Sequence, residues 1–177
     1  MAKTIGLIPE KIINYRCFID GEMSPTALVD VDLPDIQFMS ETISGAGIAG
    51  EIDSPTLGHF SAFEIGMNFR TLIKDNFKMF SQKIYALEFR AATQSTDMSG
   101  GQINKGKLKV STRVIPKSLA LGKLEVGKPS GSNQKFACDY LKVEVDNETV
   151  LEIDKINMIF NVNGEDLLAE VRDAIGM

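Results

Sequence analysis

KLKVSTRV, residues 107–114, alternates without a break: Leu108, Val110, Thr112 and Val114 fall on one side, Lys107, Lys109, Ser111 and Arg113 on the other. Successive side chains of a strand point to opposite faces, so this stretch reads as a strand with one face in a core and one in water. The same period of two recurs outward in both directions. Phe63, Ile65, Met67 and Phe69 alternate with Glu64, Gly66, Asn68 and Arg70, and Tyr85, Leu87 and Phe89 with Ala86, Glu88 and Arg90. Downstream, Leu141, Val143 and Val145 alternate with Lys142, Glu144 and Asp146, and Val150–Val162 reads as one further long strand. Asp146-Asn147-Glu148 is a hairpin turn, as is Asp20-Gly21 after a strand at Tyr15–Ile19. Ala27–Leu33 and Ile36–Ile43 are strands divided by Pro34-Asp35. Two helices interrupt the pattern: Ile73–Gln82, with Phe77 and Phe80 on one side, and a C-terminal helix. The latter is capped by Asn163, opened by Glu165 and Asp166 and ended by Gly176. Its apolar stripe is Leu167, Leu168, Val171 and Ile175; Glu170, Arg172 and Asp173 are left for solvent or a partner. The chain therefore reads as one domain over 1–177, mainly β, a β-sandwich or open barrel with a mid-chain and a C-terminal helix.

The 177 residues suffice for a core without disulfides or metals. No apolar run reaches the ~18 residues that span a bilayer. The opening MAKTIGLIPEK lacks the apolar region of a secretory signal, so cytoplasmic synthesis is expected. Cys17 and Cys138 have neither disulfide-framework nor zinc spacing and read as reduced, buried small side chains. One histidine, His59, rules out a two-histidine metal site. Net charge is −5 but uneven: −6 over residues 1–60, +8 over 61–142 and −7 over 143–177, as expected of faces of opposite sign that meet in self-assembly.

The segments Ser44–Phe60, Thr93–Lys105 and Gly127–Gln134 read as loops, the last as a flexible turn. The first is glycine-rich yet carries Ile48, Ile52, Leu57 and Phe60, which a monomer would expose. With Glu51 and Asp53 they are the candidate contacts between identical subunits. Gly45–Gly50 matches GxGxxG, but Pro55 and Gly58 follow where a nucleotide site needs a helix, so the glycines read as room for a neighbouring backbone. His59 has no nominated nucleophile or acid beside it and reads as structural. Asn147-Glu-Thr149 is a glycosylation pattern without meaning in a cytoplasmic chain. Lys105, Lys107, Lys109 and Arg113 read as contacts to protein rather than phosphate. No catalytic, cofactor-binding or metal-binding residue is nominated.

Four stretches add a resemblance. IPEKIINYRCFIDG (Ile8–Gly21), ETISGAGIAGEIDSPTLGHF (Glu41–Phe60), LGKLEVG (Leu121–Gly127) and VLEIDKINMIFNVNGEDLLAEVRDAIG (Val150–Gly176) resemble the major tail tube proteins of contractile-tailed bacteriophages and phage-tail-like bacteriocins. The likeness runs through nearly the whole chain in order and departs from it at Ser95–Lys105. It implies hexameric rings in which strands of each subunit complete one large β-barrel. Such rings stack into a tube inside a contractile sheath, and the tube is driven through the target envelope. Implied partners are further copies of the chain, the sheath protein, baseplate or initiator and terminator proteins, and a tape measure in the lumen, with DNA passing only in a phage. The implied location is a virion tail or bacteriocin particle assembled in the host cytoplasm. The family has no enzymatic site and its fold is similar to the type VI secretion tube protein. A secretion-system ring is therefore the nearest alternative, to be separated by neighbouring genes for a sheath or a secretion ATPase. A monomeric ligand-binding barrel is the third reading, and would stay small on sedimentation. On the tube reading, the acidic side of the C-terminal helix, Glu170 and Asp173, is the candidate sheath-facing surface.

Overall fold

The alternation at residues 107–114 sits inside a strand of 19 residues, about 60 Å long at the usual rise. The computed structural model describes residues 7–23 and 28–177. The first strands are β1 (Leu7–Ile19), β2 (Glu22–Met23), β3 (Leu28–Asp32), β4 (Phe38–Ile43), β5 (Ile52–Phe60) and β6 (Phe63–Phe69). After α1 (Lys74–Lys78) come β7 (Tyr85–Asp97), β8 (Gln102–Ala120), β9 (Ser132–Val145), β10 (Glu148–Asp154), β11 (Ile159–Val162), β12 (Glu165–Asp166) and α2 (Ala169–Ala174).

Ten strands form one antiparallel sheet with a central path β12-β11-β10-β9-β8-β7-β1-β2. β9 changes neighbours halfway: Ser132–Cys138 pair with β6, which in turn pairs with β3, and Tyr140–Val145 pair with β10. The sheet therefore branches and stays open, without closing into a barrel within one chain. β4 and β5 pair only with each other. Beyond Val114, β8 has left β7 and keeps only β9, so the missing N–H of buried Pro116 falls where no ladder bond is required. The core is the inward row Phe63, Ile65, Met67 and Phe69 of β6, met by Leu87, Phe89, Val110, Val114, Phe136, Leu141 and Ile153.

Several elements differ from the sequence reading. Thr93–Lys105 is the distal stem of the β7–β8 hairpin, not a loop; only residues 98–101 turn, held by Asp97, whose carboxylate accepts the Ser99 and Gly100 N–H groups. Its side chains are mostly polar and none is fully buried, so the period disappears. The strand at Val150–Val162 is two strands. Asp154 accepts N–H bonds from Ile156 and Asn157 at 3.0 Å each and folds the chain back, with Met158 at φ +51°. Asn163 does not cap a helix; at φ +53°, with Gly164 at +89°, it turns the β11–β12 hairpin. β1 begins at Leu7, well before Tyr15, because its first half is an exposed edge without periodicity. β4 begins at Phe38 rather than Ile36. Ala27 lies outside the described residues. α1 is five residues, and it buries Asn76 and Met79 while Phe77 and Phe80 face outward.

Candidate assembly surfaces

Most of Ser44–Phe60 is the second strand of an arm. Ile43 pairs with Ile52 and Ser40 with Pro55, and after a register shift Phe38 meets Phe60. Both edges of this two-stranded ribbon are open, which is why Pro55 fits within it. The arm is about 20 Å long by strand rise, and among residues 38–57 only Ser54 is even half-buried. Ile48, Glu51, Ile52, Asp53 and Leu57 are all exposed on it, together with Met39 and Ile43. Phe60 is the exception. It is buried at the root, 5.0 Å from the rings of both Phe38 and Phe160 and 6.5 Å from Phe63. Edge-to-face aromatic contacts of this kind fix the arm's origin on the sheet.

Gly58 completes the root. It has φ +68°, and a Cβ there would stand 2.6 Å from both methyls of Leu168, the one fully buried residue of the C-terminal turn. At the tip, Gly47 and Gly50 have φ +94° and +130°, and a Cβ at either would meet nothing within 4 Å. Their glycines serve the turn, and within one chain no backbone approaches them. β5 follows where a nucleotide fingerprint needs a helix. His59 is exposed on β5.

The second surface is the outer edge of β1. β2 covers only Phe18 and Ile19, so among the described residues nothing pairs with Leu7–Cys17 on that side. Such an edge is a template for another strand. Ile12, Ile13 and Leu33 are exposed around an apolar groove of about 410 Å³ beneath it, floored by Phe89 and Val110.

The opposite face of β1, β7, β8 and β9 is charged. Arg16, Arg90, Lys109 and Glu144 stand side by side across four strands. Lys109 sits 3.0 Å from Glu144 and 3.3 Å from Glu88, and its bond to Glu144 in particular holds its pKa above the usual lysine range. Arg113 reaches Asp139 at 3.1 Å and Asp154 at 3.3 Å and lies over the Tyr140 ring. Lys105 and Lys107 share this face and are exposed. The basic strand is thus partly neutralised by its own flanking strands.

α2 is shorter than the periodicity implied. Leu168 is buried and Val171 half-buried, but Leu167 and Ile175 are exposed. Arg172 is not free for a partner: it pairs with Asp166 and donates to the Met158 carbonyl at 2.7 Å. Glu170 and Asp173 do face solvent. Cys17 and Cys138 are buried and form no disulfide; burial above all pushes the Cys138 thiol up to about 12, so it stays protonated and unreactive at neutral pH.

An exposed apolar arm and an open strand edge are features that suit contact with another surface. The family model for phage tail tube protein FII matches residues 9–176. The chain belongs to that family. The tail tube protein of Escherichia phage P2 is 25% identical to this family member over 176 residues, covering 96% of this chain and 99% of the phage protein. Among solved structures, the sheath/tube terminator of the extracellular contractile injection system PVC superposes with a TM-score of 0.51 at 14% identity. It covers 77% of this chain and 96% of its own, and at that identity the likeness is one of fold. A tail tube protein is a structural subunit, and the sheet-rich fold without a barrel of its own is that of a part rather than a finished object.

Proposed function

We propose that the chain forms hexameric rings, stacked one on the next, as the inner tube of a contractile phage tail or phage-tail-like bacteriocin. The observation that carries this is the arm: some twenty residues of β-ribbon, rooted in the core and exposed along almost all of its length. Burying an apolar side chain contributes roughly 1.5–3 kcal/mol, so the arm's Ile48, Ile52 and Leu57 repay a partner subunit. The open β1 edge supports joining of strands within a ring, and the arm supports contacts to neighbours in the ring and in the next ring, with Glu51 and Asp53 meeting basic groups there.

The sheath protein docks on the acidic side of α2 through Glu170 and Asp173. Exposed pairs of this kind are each worth about 0–1 kcal/mol and are screened by salt, which suits a sheath that must hold and then let go. Initiator or baseplate, terminator and tape-measure proteins complete the particle, which is assembled in the host cytoplasm. In a phage, DNA passes through the lumen, and Lys105, Lys107, Lys109 and Arg113 face protein rather than the channel, Lys109 and Arg113 being already paired within their own sheet. No enzymatic step is assigned. Negative-stain images of the purified chain, alone and with its sheath protein, test the reading. Stacked rings with a central channel are expected, and a chain that stays monomeric at high concentration and in the presence of sheath and initiator would overturn it.

A further inference from the structure

We propose that the arm of one copy docks on the loop of residues 121–131 and the adjoining α1 segment of the next, making this basic end of the sheet the receiving surface for stacking. The proposal rests on the tube reading above and names the partner of its arm.

Leu124 and Val126 are the most exposed apolar side chains described, at 98% and 101%, with Leu121 beside them at 54%. Their exposure is built. The Lys123 N–H donates to the Ser130 carbonyl at 2.8 Å and the Gly131 N–H to the Arg70 carbonyl at 3.3 Å, closing the neck of the loop and tying it to the end of β6. Gly122 has φ +81°, and a Cβ there would lie 2.1 Å from the Ser130 oxygen, so only glycine lets the two limbs cross this closely. The sequence reading of a flexible turn over Gly127–Gln134 gives way to a closed loop followed, from Ser132, by β9. A closed loop with two bare aliphatic residues at its tip is shaped for insertion into another surface.

Charge says which surface. Residues 70–84 and 117–135, joined where the Gly131 N–H meets the Arg70 carbonyl, carry eight basic side chains and two acidic ones, of which Lys83 reaches away to Asp20 and Lys117 to Glu64. Among the described residues, Arg70, Lys74, Lys123 and Lys135 form no ion pair. The arm, residues 37–60, carries Glu41, Glu51 and Asp53 and no lysine or arginine, and it exposes Met39, Ile43, Ile48, Ile52 and Leu57. The two surfaces match in both polarity and sign. They also sit at opposite ends of β6: the arm root adjoins Phe63 and the loop adjoins Phe69, about 20 Å apart by strand rise. A contact between different patches on successive copies is heterologous, and one set at opposite ends of a subunit propagates into a stack.

The test uses the full chain and two surface variants: Leu124→Asp/Val126→Asp, which blocks the loop, and Ile52→Asp/Leu57→Asp, which blocks the arm. All four positions are exposed, and circular dichroism and thermal melts check that both variants fold as the parent does. Each alone is expected to lose at least tenfold in sedimentable tube. Mixed in equal amounts, they retain one good arm–loop contact between them, and complexes of limited size are expected by analytical ultracentrifugation. In addition, Lys74→Glu/Lys123→Glu and Glu51→Lys/Asp53→Lys are each expected to shorten tubes, and the four changes in one chain to restore them. Normal tubes from the loop variant, no association in the mixture, or no rescue by the fourfold reversal overturns the pairing. A parent chain that forms no tubes overturns the tube reading as well, and is seen before any variant is examined.

Discussion

The β7–β8–β9 sheet and the β4–β5 arm are both antiparallel ribbons, yet they are stabilised in different ways. In the proximal half of the sheet, alternate side chains are buried: Leu87, Phe89, Val110, Val114, Phe136 and Leu141 sit within one core. In the arm, the same strand geometry buries only its root at Phe60. An isolated two-stranded ribbon is at best marginally stable in water. One ribbon thus builds the core, while the other leaves its apolar residues bare beyond the root.

The sharpest way to break this comparison is to replace residues 41–57 with a short Gly-Ser linker. Long tubes should vanish altogether in negative-stain images, while the melting temperature of the monomer stays within about 2 °C of the parent, because no core contact is removed. A large fall in melting temperature would mean that the arm belongs to the folding unit after all. The converse change is Phe136→Ala, at a fully buried position of β9. It should cost about 3–5 kcal/mol, lowering the melting temperature by roughly 10 °C or more for a chain of this size. Leu57→Ala, on the arm, should leave that temperature within about 1 °C.

Acid sharpens the contrast further. Burial raises the Asp154 carboxyl, but bonds from Asn157, Ile156 and Arg113 outweigh it and hold the group below the usual 3.8. The Arg172 bond above all does the same for Asp166. Both groups bind protons more readily in the unfolded chain, so each contributes stability at neutral pH that is lost as pH falls through its folded value. Melting temperature should therefore be flat near neutrality and drop below about pH 4. Asp154→Asn should flatten that drop; an unchanged acid limb would remove Asp154 from the account.

A smaller effect of opposite sign is expected at Gln134. Its side chain is fully buried in β9, and neither of its amide atoms has a hydrogen-bond partner among the described residues. An orphaned buried polar group costs about 1–3 kcal/mol, so Gln134→Met should raise the melting temperature by a few degrees and leave tubes unchanged. Smallest of all is the double reversal Glu170→Lys/Asp173→Lys. It should not alter melting or tube formation, but should weaken sheath assembly several-fold at low salt, the difference from the parent shrinking as salt is added. Normal sheathed particles from that chain would remove the sheath role from α2.

What the sequence disclosed follows the same division. Phe63–Phe69, Tyr85–Phe89 and Leu108–Val114 were legible because one face of each is buried, which leaves a period of two in the residues themselves. The turns at Asp20-Gly21 and Asp146-Asn147 were legible because positive φ selects their residues; φ is +50° and +86° in the first, +51° and +69° in the second. The stem beyond Thr93, the first half of β1 and the strand at Ile52–Phe60 were not, since neither of their faces is buried in one chain. The turn after Asp154 was hidden by Ile153, Ile156 and Ile159, which sustain an apolar run through a bend made by a single carboxylate. The apolar residues of Ser44–Phe60 were legible as ones a single chain leaves exposed, Phe60 excepted, but not as a strand. The Leu124–Val126 tip left no signal as a surface: within LGKLEVG an aliphatic pair looks like core, and only the closed neck shows it facing out.

The contact between Gly58 and Leu168 has a consequence for timing. The residue that sets the root of the arm is synthesised 110 positions after the glycine it packs on. At roughly 5–20 residues per second, that is a delay of about 5–20 s. Throughout it the ribosome still holds the chain, and Phe160, the arm's other anchor, is also largely unmade. A nascent chain therefore carries, for that interval, an arm whose root is not yet packed.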